Sequence, residues 1–77
     1  MGIQGKKHID KLKIIGKRTQ TLRKQKGYTQ KELAEKLGIT RVYMGYIEQG
    51  RESPSLHLMF RLAEALEVKF NVLVDVN

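Results

Sequence analysis

Residues 29–50, TQKELAEKLGITRVYMGYIEQG, limit the conformations open to this chain more than any other stretch. Thr29 and Glu32 have capping-box spacing: the Thr hydroxyl can accept a backbone N–H, while the Glu reaches back to another. Leu33, Ala34 and Leu37 then share one helical face. Gly38 stands where a helix can end in a left-handed turn, a conformation open to glycine at little steric cost. Thr40 can cap a second helix, in which Met44 and Ile47 face inward, and Gly50 can end it. The spacing predicts helices over 30–37 and 41–49 joined by a tight glycine turn.

The flanking sequence supplies further elements. Residues 1–10 (MGIQGKKHID) have two glycines and no clear period, and are expected to form a flexible basic arm. Residues 11–26 read as a helix with Leu12, Ile15, Thr19, Leu22 and Lys26 near one face. Gly16 weakens its interior by roughly 1 kcal/mol relative to alanine. Residues 51–54 form a polar loop ending in the only proline. Ser55 can cap a fourth helix, with Leu56, Met59, Leu62, Ala63 and Leu66 on its buried face and Leu58 and Phe60 as additional apolar surface. In VKFNVLVDV (68–76) the pattern changes, because Val68, Phe70, Val72, Val74 and Val76 alternate with Lys69, Asn71, Leu73 and Asp75. Period two in β-branched residues predicts a strand, and the competing reading is a fifth helix. No second strand is evident, so the strand would pair with its copy in a second chain, an isologous contact through Val68, Phe70, Val72, Val74 and Val76. The expected organisation is an arm over 1–10, one small domain over 11–67 and a dimerisation segment over 68–77.

Charge narrows the partners. Residues 1–31 carry ten Lys or Arg against Asp10 alone, a net +9, whereas residues 32–77 carry −2. Such a basic half either attracts nucleic-acid phosphates or is a solvated helix face. There is no cysteine, and the two histidines, His8 and His57, lack paired-ligand spacing, so no metal site or other cofactor is expected. No nucleophile–base arrangement, phosphate loop or dinucleotide fingerprint is present, and the Glu64 and Glu67 pair is common surface chemistry. An enzyme is not expected. No apolar run approaches the roughly 20 residues of a membrane span, and the N-terminus lacks the apolar region of a signal peptide, so a cytoplasmic protein is expected.

Two short helices around a tight turn make the helix-turn-helix shape, whose second helix enters the DNA major groove. The stretch from Ile15 to Val68 resembles the Cro and phage-repressor family, called Xre-type. The match rests on Leu22-Arg23, Gly27, Thr29-Gln30, Leu33-Ala34, Leu37-Gly38-Ile39, Ile47-Glu48, Gly50, Pro54-Ser55-Leu56 and Leu62-Ala63-Glu64-Ala65-Leu66. The resemblance implies a mainly α, lambda-repressor-like domain of four or five helices that binds double-stranded DNA as a homodimer without catalysis. The strand-like ending is similar to that of a subset of Xre-type antitoxins, which implies a toxin protein as a further partner.

In this motif the first residues of the second helix face base edges, which nominates Arg41, Val42 and Tyr46. Arg41 can donate twice to guanine, and Val42 can pack on a thymine methyl. Tyr46, one turn on, reaches a base or a phosphate. Gly45 either allows close approach to the DNA backbone or is merely tolerated. Gln30, at the start of the first motif helix, is expected at a phosphate, where free N–H groups favour an anion. The family match also places Gln30 there. Thr40, Tyr43, Lys31 and Arg51 are further phosphate candidates. Arg23 and Glu48 match a pair that bridges the first and third helices in this family. The function expected is a sequence-specific, dimeric transcriptional repressor. The alternatives are an antitoxin that neutralises a toxin and autoregulates its operon, and an RNA-associated basic protein, although the aromatic clusters used by single-strand binders are lacking.

Overall fold

The computed structural model describes residues 2–76, with side chains from residue 10 onward. Five helices follow one another: α1 (Gly2–Lys26), α2 (Gln30–Leu37), α3 (Arg41–Glu48), α4 (Leu56–Ala65) and α5 (Phe70–Val74). The core consists of Leu33, Ala34 and Leu37 from α2, Met44 and Ile47 from α3, Leu58, Leu62, Ala63, Ala65 and Leu66 from α4 and its end, and Leu73 from α5.

Local chemistry sets the helix starts. Thr29 Oγ1 accepts the Glu32 N–H at 3.0 Å, and Glu32 Oε1 accepts the Thr29 N–H at 2.8 Å, closing the box expected from sequence. Thr40 and Ser55 likewise accept the N–H groups of Tyr43 and Leu58. The stops are equally local. Gly38 (φ 72°) and Gly50 (φ 73°) turn left-handed, so the Ile39 and Arg51 N–H groups close back on the Ala34 and Tyr46 carbonyls.

Residues 68–76 depart from the expected strand. Among the described residues there is no strand, and Phe70–Val74 is a short helix. The strand reading placed Leu73 opposite the valine face, yet Leu73 is fully buried, while Val72 is 45% exposed. Val68 and Val74 pack at the margin of the core. A single strand has no partner for its backbone groups. One helical turn satisfies them internally, with the Val72 N–H on the Lys69 carbonyl and the Asp75 N–H on the Asn71 carbonyl. Docking Leu73 into the core therefore outweighs β-propensity, which depends strongly on its setting. The dimer expected through a Val68, Phe70, Val72, Val74 and Val76 strand loses its structural basis, and so does the likeness to strand-paired antitoxins.

Two further differences are smaller. α1 begins at Gly2, where an irregular arm through residue 10 was expected. Each residue added to an existing helix gains a hydrogen bond without a new nucleus, and this stretch has no proline to stop it. On α4, Leu58 is buried and Leu56 is 62% exposed, the reverse of the expected assignment.

Gly16, which from sequence weakens α1, lies where the backbones of α1 and the end of α3 pack closely. A Cβ there would stand 2.5 Å from the Ile47 and Glu48 carbonyl oxygens. Thr19, one turn on, is fully buried and donates its hydroxyl to the Ile15 carbonyl. Small residues thus let the end of α3 seat directly on α1. Gly16→Ala should destabilise the domain by about 1–3 kcal/mol despite alanine's better helix propensity, as measured by urea unfolding, because backbone must move to admit the methyl.

The capping box also carries a pH dependence. Hydrogen bonds from the backbone and side chain of Thr29 hold the Glu32 carboxyl below its ordinary value of 4.5. A carboxylate lowered by folding adds stability above its unfolded pKa, and that stability is lost as pH falls through the folded value. Thermal unfolding between pH 6 and pH 3 should therefore show a shallower acid loss for Glu32→Gln than for the unmodified chain.

Candidate DNA-binding surface

A buried ion pair fixes α3 on the body of the domain. Arg23 Nε donates to Glu48 Oε2 at 2.6 Å, and Nη2 donates to Oε1 at 3.2 Å. The side chains are only 8% and 2% exposed. The remaining capacity is used as well: Arg23 Nη1 donates to the Tyr28 carbonyl at 2.8 Å, and Gln30 Nε2 donates to Glu48 Oε1 at 2.9 Å. No buried side-chain nitrogen or oxygen among the described residues lacks a partner. The planar guanidinium therefore joins α1, the loop before α2 and the end of α3, while Gln30 ties in the first residue of α2. The bridge that the family resemblance implied is present and buried. The added part of Gln30 was not foreseen.

With Met44, Ile47 and Glu48 turned inward, the opposite side of α3 faces outward. Val42 is 61% exposed, Arg41 and Gln49 are exposed, and Tyr46 is half-buried. Val42, Gly45, Tyr46 and Gln49 have i, i+3, i+4, i+7 spacing and so form one stripe. Gln49 was missed from sequence, although continuing this spacing from Val42 would have found it. Gly45 is in the middle of the stripe. A Cβ there would meet only Gln49 Nε2, at 3.9 Å, so nothing inside the domain requires glycine.

The other candidates surround this stripe. Gln30 is half-buried beside Glu48, with its amide oxygen not engaged by that bond, and Lys31 is exposed at the start of α2. Thr40 is exposed and caps α3, and Tyr43 is half-buried with its ring against the core. The Arg51 guanidinium lies over the Tyr46 ring, 4.4 Å from its centroid. Arg41, Val42, Tyr46, Thr40 and Arg51 are thus brought together along α3 and its two ends. Gln30 and Lys31 stand at the start of α2, joined to α3 through Glu48. Val68, Phe70, Val72, Val74 and Val76 lie in and beside α5, where Val68 and Val74 pack against the core while Val72 is exposed, so they do not share one exposed face.

Among the described residues no cluster of three or more His, Asp or Glu could hold a metal ion. None of the described helices is long and apolar enough to cross a membrane.

The chain belongs to the helix-turn-helix family HTH_3, whose model matches residues 20–73. It is 35% identical over 66 residues to the HTH-type transcriptional regulator y4dJ of Sinorhizobium fredii, covering 86% of each chain. Among solved structures it resembles the restriction-modification controller protein C.AhdI from Aeromonas hydrophila, with a TM-score of 0.81, 36% identity, and coverage of 86% of this chain and 96% of that one. It also resembles the biofilm regulator SinR in complex with DNA, with a TM-score of 0.74 and 37% identity over 79% of this chain and 98% of that one. Against full-length SinR of Bacillus subtilis, 36% identical over 63 residues, the chain spans 57% of the relative's length and 80% of its own.

Because Glu48 holds both Arg23 and Gln30, its loss strands a buried guanidinium. Glu48→Ala should cost about 3–5 kcal/mol of unfolding free energy in denaturant titration. Reversing the order, with Arg23→Met combined with Glu48→Leu, should recover much of that loss, because no buried charge is then left unpaired.

Proposed function

We propose that the chain is a sequence-specific DNA-binding transcriptional regulator that acts in the cytoplasm as a repressor. The observation that carries this reading is the outward stripe of α3, held at a fixed angle by the Arg23–Glu48–Gln30 network, with the exposed cations Arg41 and Arg51 at its two ends. The solved SinR complex supports it, since a similar domain there binds DNA. The regulators and controller protein among the relatives support the regulatory role.

Within this reading α3 lies in the major groove. Arg41 donates to the O6 and N7 atoms of a guanine, and Val42 contacts a thymine methyl. Gln30, Thr40 and Lys31 hold phosphates at the starts of α2 and α3, with Tyr43 at the margin. Gln30 donates one N–H to Glu48, so a phosphate contact there is tied directly to the orientation of α3.

The reading includes a homodimer. Two copies would present their α3 helices to half-sites about 34 Å apart on one face of the duplex. Leu56 and Phe60 are 62% and 53% exposed, and the Phe60 ring stacks on Phe70 with centroids 4.3 Å apart. This apolar surface on α4 and α5 supports pairing through those two helices. No observation favours a toxin partner now that residues 70–74 are helical.

Selection of bound duplexes from a random pool at moderate salt tests the function. A two-fold symmetric consensus is expected, and binding no tighter than to random DNA would remove the reading. On the selected site Arg41→Ala should lose about 1–3 kcal/mol and relax one base position, whereas Lys31→Ala should weaken all sequences alike. Equal losses on selected and random DNA for Arg41→Ala would refute its base-reading role.

Gly45→Ala separates folding from binding. The open space at this position and alanine's higher helix propensity should stabilise the fold by up to about 1 kcal/mol in thermal unfolding. The same methyl, in the middle of the outward stripe, should weaken affinity for the selected site. Unchanged affinity would mean that α3 does not approach DNA closely at Gly45.

A further inference from the structure

We infer that Tyr46 is a positioning residue rather than a base reader, and that it fixes Arg51 as the phosphate-binding cation at the C-terminal end of α3. The inference rests on the DNA-binding reading and assigns a division of labour within that surface.

The geometry begins with Gly50. Its φ of 73° favours glycine, and a Cβ there would come within 2.7 Å of the Lys13 Cα on α1. The chain must therefore turn sharply as α3 ends. The turn is closed by the Gly50 N–H on the Ile47 carbonyl and the Arg51 N–H on the Tyr46 carbonyl. Such a closure returns the residue after the glycine to the last full turn of the helix. Arg51 is consequently folded back onto Tyr46, with its guanidinium carbon 4.4 Å from the ring centroid. An arginine over an aromatic face is attracted by the ring's negative face and keeps its planar edge free to donate.

The surroundings favour phosphate as the ligand. Arg51 is exposed and makes no ion pair or side-chain hydrogen bond with the described residues, so its donors remain available. The Tyr46 ring is half-buried beneath it, which suits a platform better than a group reaching into the groove. A stacked guanidinium beside the outward stripe is held in advance where the sugar-phosphate backbone would flank a groove-bound α3. Gln30 and Thr40 sit at the N-terminal side of the motif helices, so Arg51 would secure the other end.

The test measures affinity against salt concentration for the selected duplex and for a random one. Loss of one phosphate contact lowers the slope of log K against log salt by about 0.9, equal to about fivefold in affinity at 0.15 M salt relative to 1 M. Arg51→Gln is expected to show that change on both duplexes. Tyr46→Phe keeps the platform and should leave both affinities within about twofold of the unmodified chain on the same scale. Tyr46→Leu should approach the Arg51→Gln result, and the double variant should be no worse than Arg51→Gln alone. An unchanged slope for Arg51→Gln, additive losses in the double variant, or a loss in Tyr46→Phe confined to the selected duplex would each overturn the proposal. The last outcome would show that the hydroxyl reads a base. If Tyr46→Leu unfolds, Tyr46→Phe and Arg51→Gln decide the matter together. Failure of the DNA-binding reading is separately visible, because the unmodified chain would then select no duplex, while the slope on random DNA still reports on Arg51.

Discussion

The buried pair between Arg23 and Glu48 is the constraint on which the DNA-facing geometry depends. Two charges removed from water are tolerable only when the remaining donors and acceptors are satisfied. Here the Tyr28 carbonyl and the Gln30 amide meet that need. Their participation converts an ion pair into a junction of α1, α2 and α3. Gly16 and Thr19 allow the junction to form, since the end of α3 can seat on α1 only where side chains are small. The outward direction of Arg41, Val42 and Tyr46 is then a consequence of what is turned inward.

This arrangement separates affinity from angle. The exposed side chains Arg41 and Val42 can vary with little effect on the core, because Met44, Ile47 and Glu48 are the buried residues of α3 and Tyr43 packs at the core margin. In the proposed function, the network residues would act on DNA through the orientation of α3 rather than through base contacts. Gln30 links the network to α2: it donates to Glu48 and stands in the first turn of α2, ahead of the Glu32 N–H that Thr29 caps. The two helix ends are handled differently. Thr40 caps the start of α3, while Gly50 and the folded-back Arg51 complete its end.

Features of the fold governed by local chemistry were legible in the sequence. Thr29, Thr40 and Ser55 cap the helices they were expected to cap, and Gly38 and Gly50 provide the left-handed stops. Capping and turn chemistry act over four or five residues and leave a readable pattern. The C-terminal segment was misread because its alternation is local, whereas its helical state is decided by Leu73 docking in the core. Gly16 was misjudged for the same reason, as its value lies in a neighbour over thirty positions away in sequence. The Arg23–Glu48 bridge was implied only by family resemblance, and neither its burial nor Gln30's part could be read from spacing. At the candidate site, the outward positions of Arg41 and Val42 followed from the period of α3. Tyr46's partnership with Arg51 did not, because it depends on a turn forced by contact with α1.

The central claim is that the outward side of α3, with the starts of α2 and α3, is the surface that meets DNA. Amide chemical-shift mapping of the full chain, titrated with a duplex recovered by selection, tests it most directly. The account predicts that the largest changes fall on residues 30–31, 40–46 and 49–51, with α4 and α5 little altered at a fixed oligomeric state. Changes centred on Phe60 and Phe70, with Arg41, Val42 and Gly45 unmoved, would contradict it.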